Sequence, residues 1–471
     1  MGADNAMTVE YDLVVIGASA AGIAAAKTAA RYHARVALIQ QGETDNPLPA
    51  CLSLLQQRAQ TYRAETDAAP DFHQIAQLLQ LLTLQQQAID SFDRLASLGI
   101  DVIPNSGAFY RKPRLGFAVA DRGLSARAYL VAMSLTEPTQ RAWSIAEFPD
   151  RLAQLPQINH LLILGASPES VALAQALVRL GKHVTLVEPG ITLLADQPTI
   201  DPTLAYYLQT QLEADGVRIL TQCHATPLAQ TSGQAALAIA GQTITADALL
   251  HGKPDRRLNT AKLDPDALNL GVAKVRWNQQ QVLVDRCSRA ARQVYVCQPS
   301  LPQHNRLAWE KQAIAATHHA LKLPWGPKPD SPAMITVLTN PELVAIGLTE
   351  AQAQQQYGQH FYVLQQPLNH LLKAQVLGQP TGLCKLIVRS NGTLVGAHLL
   401  GPQAVEWSTV LAFAIQQKLK ITMLADMLLP SPTLAEILQQ TASNYRFQVR
   451  RSELWRYSLE EFFAWRRYWA Q

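Results

Sequence analysis

The hydrophobic positions of this chain fall first into a short apolar run, Tyr11 to Ile16, interrupted only by Asp12. The small-residue loop GASAAG follows, then an alanine-rich stretch of helical texture, then a second apolar run from Arg35 to Gln40. Strands that read as continuous rather than alternating apolar runs are those of a parallel sheet buried on both faces. The same order returns at His160 to Glu188, where LLILG leads into ASPESVALAQALVRLG and then the strand HVTLVE. From about Pro332 the texture changes to short β-rich runs, with KLIVR and TLVGAHLL joined through Ser390-Asn391-Gly392. Asn-Gly between apolar runs predicts a hairpin. Helical patterns are then expected at 404–417 and 434–445. The fold class predicted is α/β, with two Rossmann-like domains and a C-terminal α+β domain.

At 471 residues the chain exceeds a single compact core, and its size suits about three domains. A formal charge of +4 without a sustained basic run gives nucleic acid no electrostatic footprint. Cys51, Cys223, Cys287, Cys297 and Cys384 are odd in number and lack a CxxC pair, which excludes a zinc ribbon and fits a reducing, cytoplasmic setting. The start MGADNAMTVEYD lacks an apolar segment, so no secretory signal is expected, and Ala6 departs from the myristoylation pattern that Gly2 would open. No run of 18 apolar residues is present, so membrane contact is expected to be peripheral. The histidines show no ligand spacing, and no metal site is expected.

The two glycine-bearing loops carry the candidate binding chemistry. Gly17 suits a tight turn, Ser19 is small enough for the backbone to approach a pyrophosphate, and Gly22 allows close helix–strand packing. The phosphate would meet the positive end of a helix. Gly165, Ser167 and Ser170 repeat the arrangement, and Glu188 ends the following strand where an acid binds ribose hydroxyls, which favours NAD(H) over NADP(H). Because Ser19, Ser167 and Ser170 stand in the pattern's glycine positions, two readings stay open: nucleotide sites, or Rossmann units kept as packing scaffolds.

VVIGASAAGIAAA, DSFDRLASLGIDV, LLILGASPESVALAQALVRLGKHVTLVE, LTNPELVAIGLTEAQA, TGLCKLIV and GTLVGAHLLGP occur in one order along nearly the whole chain. That order resembles the pyridine nucleotide–disulfide oxidoreductase family, in particular its dihydrolipoamide dehydrogenase and mercuric reductase-like members. The resemblance implies FAD in the first unit, NAD(P)H in the second, and a homodimer. It divides the chain into an FAD-type domain (1–149), an NAD-type domain (150–270), a return segment completing the first (271–330), a dimerisation domain (331–448) and an aromatic, basic helical tail (449–471).

The chain departs from the family where the family does its chemistry. Cys51 is similar to the first cysteine of the Cys-x4-Cys pair, but Gln56 stands at the second, and one thiol cannot resolve a mixed disulfide. With only Arg58 as a basic neighbour, Cys51 reads as an inert thiol. Ser431 occupies the position of the catalytic His before Pro432-Thr433, leaving Glu436 with no imidazole to orient. The family's flavin-side Lys–Glu pair matches Gln60 and Ala172. Gln40 replaces the ribose-binding Glu, Gln298-Pro299 replace the Gly-Asp that holds the ribityl chain, and the two Ala-Thr-Gly turns read Ala132-Met133-Ser134 and His251-Gly252-Lys253. No residue is therefore assigned a catalytic role; Cys51, Gln56, Ser431 and Glu436 are degenerate positions.

The function expected is that of a family member unable to perform dithiol–disulfide exchange, a dimeric nucleotide-binding or scaffold protein. The alternative is an FAD-dependent NADH oxidoreductase that passes electrons to a quinone, a metal ion or oxygen. At the end, VRRSELWRYSLEEFFAWRRYWAQ reads as a helix from Leu459 behind a Ser458–Glu461 capping box. Leu459, Phe462 and Trp469 would share a face, and Arg466 and Arg467 lie beside Trp465 and Tyr468. Aromatic rings mixed with arginines suit a membrane surface, a protein partner or packing across a dimer.

Overall fold

The computed structural model describes residues 9–41, 47–65, 71–111, 114–133, 143–223, 225–227, 235–239, 242–252, 268–278, 282–297, 306–324, 326, 332–449 and 453–469. The chain forms two compact units, one of residues 1–187 and 223–331, the other of 188–222 and 332–471.

In the first unit the strands Val294–Val296, Ala126–Val131, Tyr11–Ile16, Val36–Ile39 and Ile100–Ile103 lie in that order in one sheet, paired in parallel. The central strand shows why it reads as a continuous apolar run. Leu13 and Val15 face the helices Ala20–Arg31 and Arg306–Ala320 in one core, and Val14 and Ile16 face the other core with Phe109, Phe117 and Tyr129. Ala21, Ala25, Ala26 and Ala29 share the helix-side core with Ala313, Ala316 and Ala320, small residues that let two helices approach closely. The opposite face is covered by the antiparallel strands Gly107–Tyr110, Gly116–Val119 and Arg122–Leu124, whose Phe109 and Phe117 rings meet edge to face at 5.0 Å.

The second βαβ motif forms as its pattern predicts. His183–Glu188, His160–Leu164, Ala248–His251 and Trp143–Ser144 run parallel side by side, and the helix Pro168–Arg179 follows the second loop. The helix Leu48–Glu65 packs on this helix, to which Gln56 is hydrogen-bonded, and buries Cys51, Leu52, Leu55, Gln56 and Ala59.

The second unit is built on an antiparallel sheet ordered Met334–Val337, Glu342–Gly347, Leu394–Gly401, Leu383–Arg389, Phe361–Pro367. The expected hairpin is present: Leu383–Arg389 pairs with Leu394–Gly401, and Gly392 sits in its turn. Alternate strand residues Cys384, Leu386, Val388, Ala397 and Leu399 join a core with Trp407, Leu411, Leu424, Ile437 and Leu438. The expected helix at 404–417 is two, Ala404–Trp407 and Thr409–Gln416, and the one at 434–445 spans Glu436–Val449.

On the other side of the same two strands, the register partners Lys385 and His398 carry a buried polar network. Lys385 Nζ lies 2.8 Å from Asp201 Oδ2 and 2.6 Å from Glu350 Oε2. Asp201 also caps the helix Pro202–Asp215 by accepting the Thr203 N–H at 3.0 Å.

The tail differs from its sequence reading. Its helix spans Glu453–Tyr468, so Ser458 lies inside the helix and is not its cap. The segment ELWRYS is itself compatible with helix, and a capping box inside a longer helical pattern does not mark a start.

Candidate functional site

The first loop is built from crossing backbones at the ends of three strands. Gly17 N–H donates to Ile39 O at 3.0 Å and Ala132 N–H to Ile16 O at 2.8 Å. Gly17 has φ +111°, and a Cβ there would lie 2.2 Å from Ala132 O. A Cβ on Gly22 would lie 1.9 Å from Gly17 O. Both positions need glycine, for the turn and for the close packing of helix against strand.

Ser19 is the N-cap of Ala20–Arg31. Its Oγ accepts the Gly22 N–H at 3.2 Å and donates to Ala132 O at 2.8 Å. The hydroxyl is thus directed inward and does not stand between the backbone and a pyrophosphate. This loop fits a dinucleotide by shape: a cradle that a Cβ would close, at the positive end of a helix. Gln40 is held through its backbone N–H to Ile103 O at 2.8 Å. Its neighbour Gln41 turns its amide oxygen to the Gly107 N–H at 3.0 Å.

The second loop is a reciprocal cap. Ser167 Oγ accepts the Ser170 N–H at 3.1 Å, Ser170 Oγ accepts the Ser167 N–H at 2.8 Å, and the Ser170 hydroxyl donates to Gly165 O at 3.0 Å. Both serines are therefore explained by capping. The Ser-x-x-Ser spacing is the sequence signal for such a cap, which a glycine pattern does not contain. Glu188, the last residue of its strand, is 2% exposed and its Oε1 accepts the Gly190 N–H at 3.0 Å. A ribose diol at Glu188 would share the carboxylate with that turn.

At the family's dithiol position Cys51 and Gln56 lie on one helix, and Gln56 meets Ala172. Cys51 is fully buried, and burial pushes its thiol up to about 12. Gln56, 6% exposed, donates through Nε2 to Ala172 O at 2.9 Å and to Gln175 Oε1 at 3.3 Å. Its Oε1 is buried with no hydrogen-bond partner among the described residues. Gln60, which with Ala172 stands at the positions of the family's Lys–Glu pair, is exposed. Four residues on a helix advance the side chain by about 40°, and Gln56 already lies at the edge of the buried arc, so Gln60 falls outside it.

In the other unit Ser431 is exposed. Glu436 has a task of its own: its Oε1 accepts the Thr433 N–H at 2.8 Å, just ahead of the helix it begins. This corrects the expectation of an acid with nothing to hold. Ala132 and Met133 are buried at the first altered turn and Gly252 at the second. Ser134, Lys253 and Gln298-Pro299 lie outside the described residues.

The five cysteines form no disulfide with one another. Cys297 and Cys384 resemble Cys51 in that burial pushes each thiol up to about 12, whereas Cys223 and Cys287 are partly exposed. A neutral-pH titration of the native protein with an aromatic disulfide is therefore expected to release the equivalent of two thiols, rising to five after denaturation. Rapid reaction of Cys51 in the native protein would show that its thiolate is accessible after all. Among the described residues no group of histidine, cysteine or carboxylate side chains is placed to hold a metal ion, and no helix is long and apolar enough to cross a membrane.

The sequence model of the pyridine nucleotide-disulphide oxidoreductase family matches residues 11–297, and the model of that family's dimerisation domain matches 333–442. A mercuric reductase of Streptomyces lividans is 26% identical over 93% of this chain and 97% of that enzyme. One of Shewanella putrefaciens is 29% identical over 63% of this chain, and the match spans about half (52%) of that protein's length. Among solved structures, LpdA of Mycobacterium tuberculosis superposes with a TM-score of 0.79 at 22% identity, covering 92% of this chain and 99% of that one. The Escherichia coli flavoprotein disulfide reductase RclA gives 0.75 at 21% identity over the same shares; both show likeness of fold. With both parts of the family matched in order along the chain, this protein belongs to the pyridine nucleotide-disulphide oxidoreductase family.

Proposed function

We propose that this chain is a dimeric nucleotide-binding member of the family that does not run dithiol–disulfide exchange and acts as a scaffold or regulatory protein. The observation that carries this reading is the Gln56 amide, buried and hydrogen-bonded to Ala172 O where a second thiol would be needed. Exchange requires one thiolate to attack and another to resolve, and Cys51 holds its proton in a dry setting. The five-part division of the chain belongs to the same proposal, as does the tail as a docking element for a membrane surface or a protein partner.

A second reading is favoured by the fit of the first loop: an FAD-dependent NADH oxidoreductase whose acceptor is a quinone, a metal ion or oxygen. Gly17, Ser19, Gly22 and Gln40 would hold FAD, which when bound supplies a two-electron carrier. Gly165, Ser167 and Ser170 would hold NADH, with Glu188 as ribose ligand on sequence grounds. Hydride transfer from NADH requires neither Cys51 nor a base at Ser431.

An absorption spectrum of the purified protein, with NADH added anaerobically, separates the two. A flavin band that bleaches supports the oxidoreductase. A colourless protein that releases no flavin on denaturation and takes none up leaves the scaffold. NADH oxidation driven by oxidised glutathione or lipoamide would overturn the proposal as a whole.

A further inference from the structure

We propose that a cleft at the N-terminal edge of the first unit's parallel sheet binds a small polyanion, a ligand carrying two or more phosphate or carboxylate groups. The cleft has a volume of about 940 Å³, within the range of about 300–1,000 Å³ that small-molecule sites occupy. Every residue lining it belongs to the first unit. The inference is independent of the dithiol position and of the flavin question.

The cleft forms where the strands Tyr11–Ile16, Ala126–Val131 and Val294–Val296 begin, with Asp12, Arg127 and Tyr295 on its wall, and where the helix Arg306–Ala320 ends at His319 and Ala320. Gly17 and its loop lie at the other ends of these strands. From Asp12 to Gly17 the chain runs about 17 Å, at a rise of about 3.3 Å per residue. A dinucleotide binds outside the carboxyl ends of the strands in an open parallel sheet, so this opposite edge is not its site.

Arg114, Arg127, Arg289, Arg292 and Lys322 line the cleft against two carboxylates, Asp12 and Asp285. An excess of three cations is thus gathered in one cleft of a chain whose whole formal charge is +4. Both acids are engaged in holding the backbone. Asp285 Oδ1 accepts the N–H groups of Cys287 at 2.8 Å and Arg289 at 2.9 Å, and Asp12 Oδ2 accepts that of Arg35 at 3.0 Å. Of the five cations, Arg127 alone forms an ion pair among the described residues, with Asp12 Oδ1 at 3.6 Å. Arg289 is fixed by carbonyls instead: its Nε donates to Ala291 O at 3.2 Å and its Nη2 to Arg292 O at 3.0 Å. The rest of its guanidinium fork is left, already oriented, for a ligand.

Like charges on a concave wall repel one another, and the low-dielectric surroundings focus their field into the cleft. A singly charged anion answers one guanidinium, whereas this excess matches a ligand with two or more anionic groups. The partial negative charge at the end of the helix Arg306–Ala320, about half a unit, is small against it. Val9, Tyr295 and Leu321 share the lining and offer apolar surface to the uncharged part of a small molecule. A nucleic acid duplex or a bilayer is too broad to enter.

Cys287 lines the same cleft and is partly exposed, which confines the readout to this site. The test follows its alkylation in the full chain by iodoacetamide, a neutral reagent that does not compete for the cations, with peptide mass spectrometry. Tripolyphosphate or citrate is expected to slow the reaction of Cys287 saturably and to leave that of Cys223 unchanged. Arg114→Gln/Arg292→Gln, which removes two exposed cations, should raise the half-saturating concentration about tenfold or more with an unchanged thermal melt. Protection by tripolyphosphate alone assigns a phosphate ligand, and by citrate alone a carboxylate one. Protection by neither, or equal slowing by sodium chloride at matched ionic strength, at Cys223 or in the double variant, overturns the proposal.

Discussion

Lys385→Met is expected to be among the most damaging single changes in the second unit, lowering its stability by about 3–5 kcal/mol. Lys385 and Asp201 are each 2% exposed, and the bond between them joins the strand Leu383–Arg389 to the start of the helix Pro202–Asp215. Methionine fills the space of the lysine stem but leaves the Asp201 carboxylate buried without its cation. Asp201→Asn/Lys385→Met removes both charges and is expected to cost less than Lys385→Met alone, since the penalty comes from the orphaned charge. Chemical denaturation of the two variants checks this; equal losses would show that the pair acts only by packing.

The same network fixes the direction of the pH response. Burial alone would raise the Asp201 carboxyl, but the hydrogen bond and charge of Lys385 hold it below its ordinary 3.8. Burial, opposed by the bond to Leu348 O, holds His398 below its ordinary 6.5. A group depressed in the folded state binds its proton more readily when unfolded, so each contributes stability that is present above its ordinary value and lost as pH falls through the folded one. Stability should decline first below about pH 6.5 and again through the carboxylate range, and Lys385→Met should remove the second part.

What the sequence made legible followed from patterning. Strands buried on both faces announce themselves as apolar runs, and Tyr11–Ile16 and His160–Leu164 were placed by it. The hairpin at Asn391-Gly392 was marked by its turn chemistry. The Lys385 network was not legible, because a lysine in an alternating strand reads as solvent-facing and only the fold brings Asp201 to it. The exposure of Gln60 was not legible either, because spacing alone does not show which arc of Leu48–Glu65 is buried. Ser167 and Ser170 read by pattern as imperfect glycines, whereas their hydroxyls form a cap that glycine cannot offer.

Gly17→Ala is expected to rank with Lys385→Met, through backbone geometry instead of charge. Alanine at φ +111° is strained by about 1–3 kcal/mol, and its Cβ would stand 2.2 Å from Ala132 O, a contact that only movement of the backbone relieves. That displacement adds an overpacking cost of about 1–3 kcal/mol. Ala132 O is also the acceptor for Ser19, so the shift would pull the hydroxyl from the position in which it caps Ala20–Arg31. Ser19→Ala isolates this last contribution and should cost only about 1 kcal/mol. Thermal melts of the two variants give the ranking, and a Gly17→Ala protein as stable as wild type would refute the close approach. If the loop holds FAD, Gly17→Ala should also be purified without flavin while Ser19→Ala retains it, because a pyrophosphate is bound by the backbone path that Gly17 sets and not by the serine hydroxyl, which points the other way.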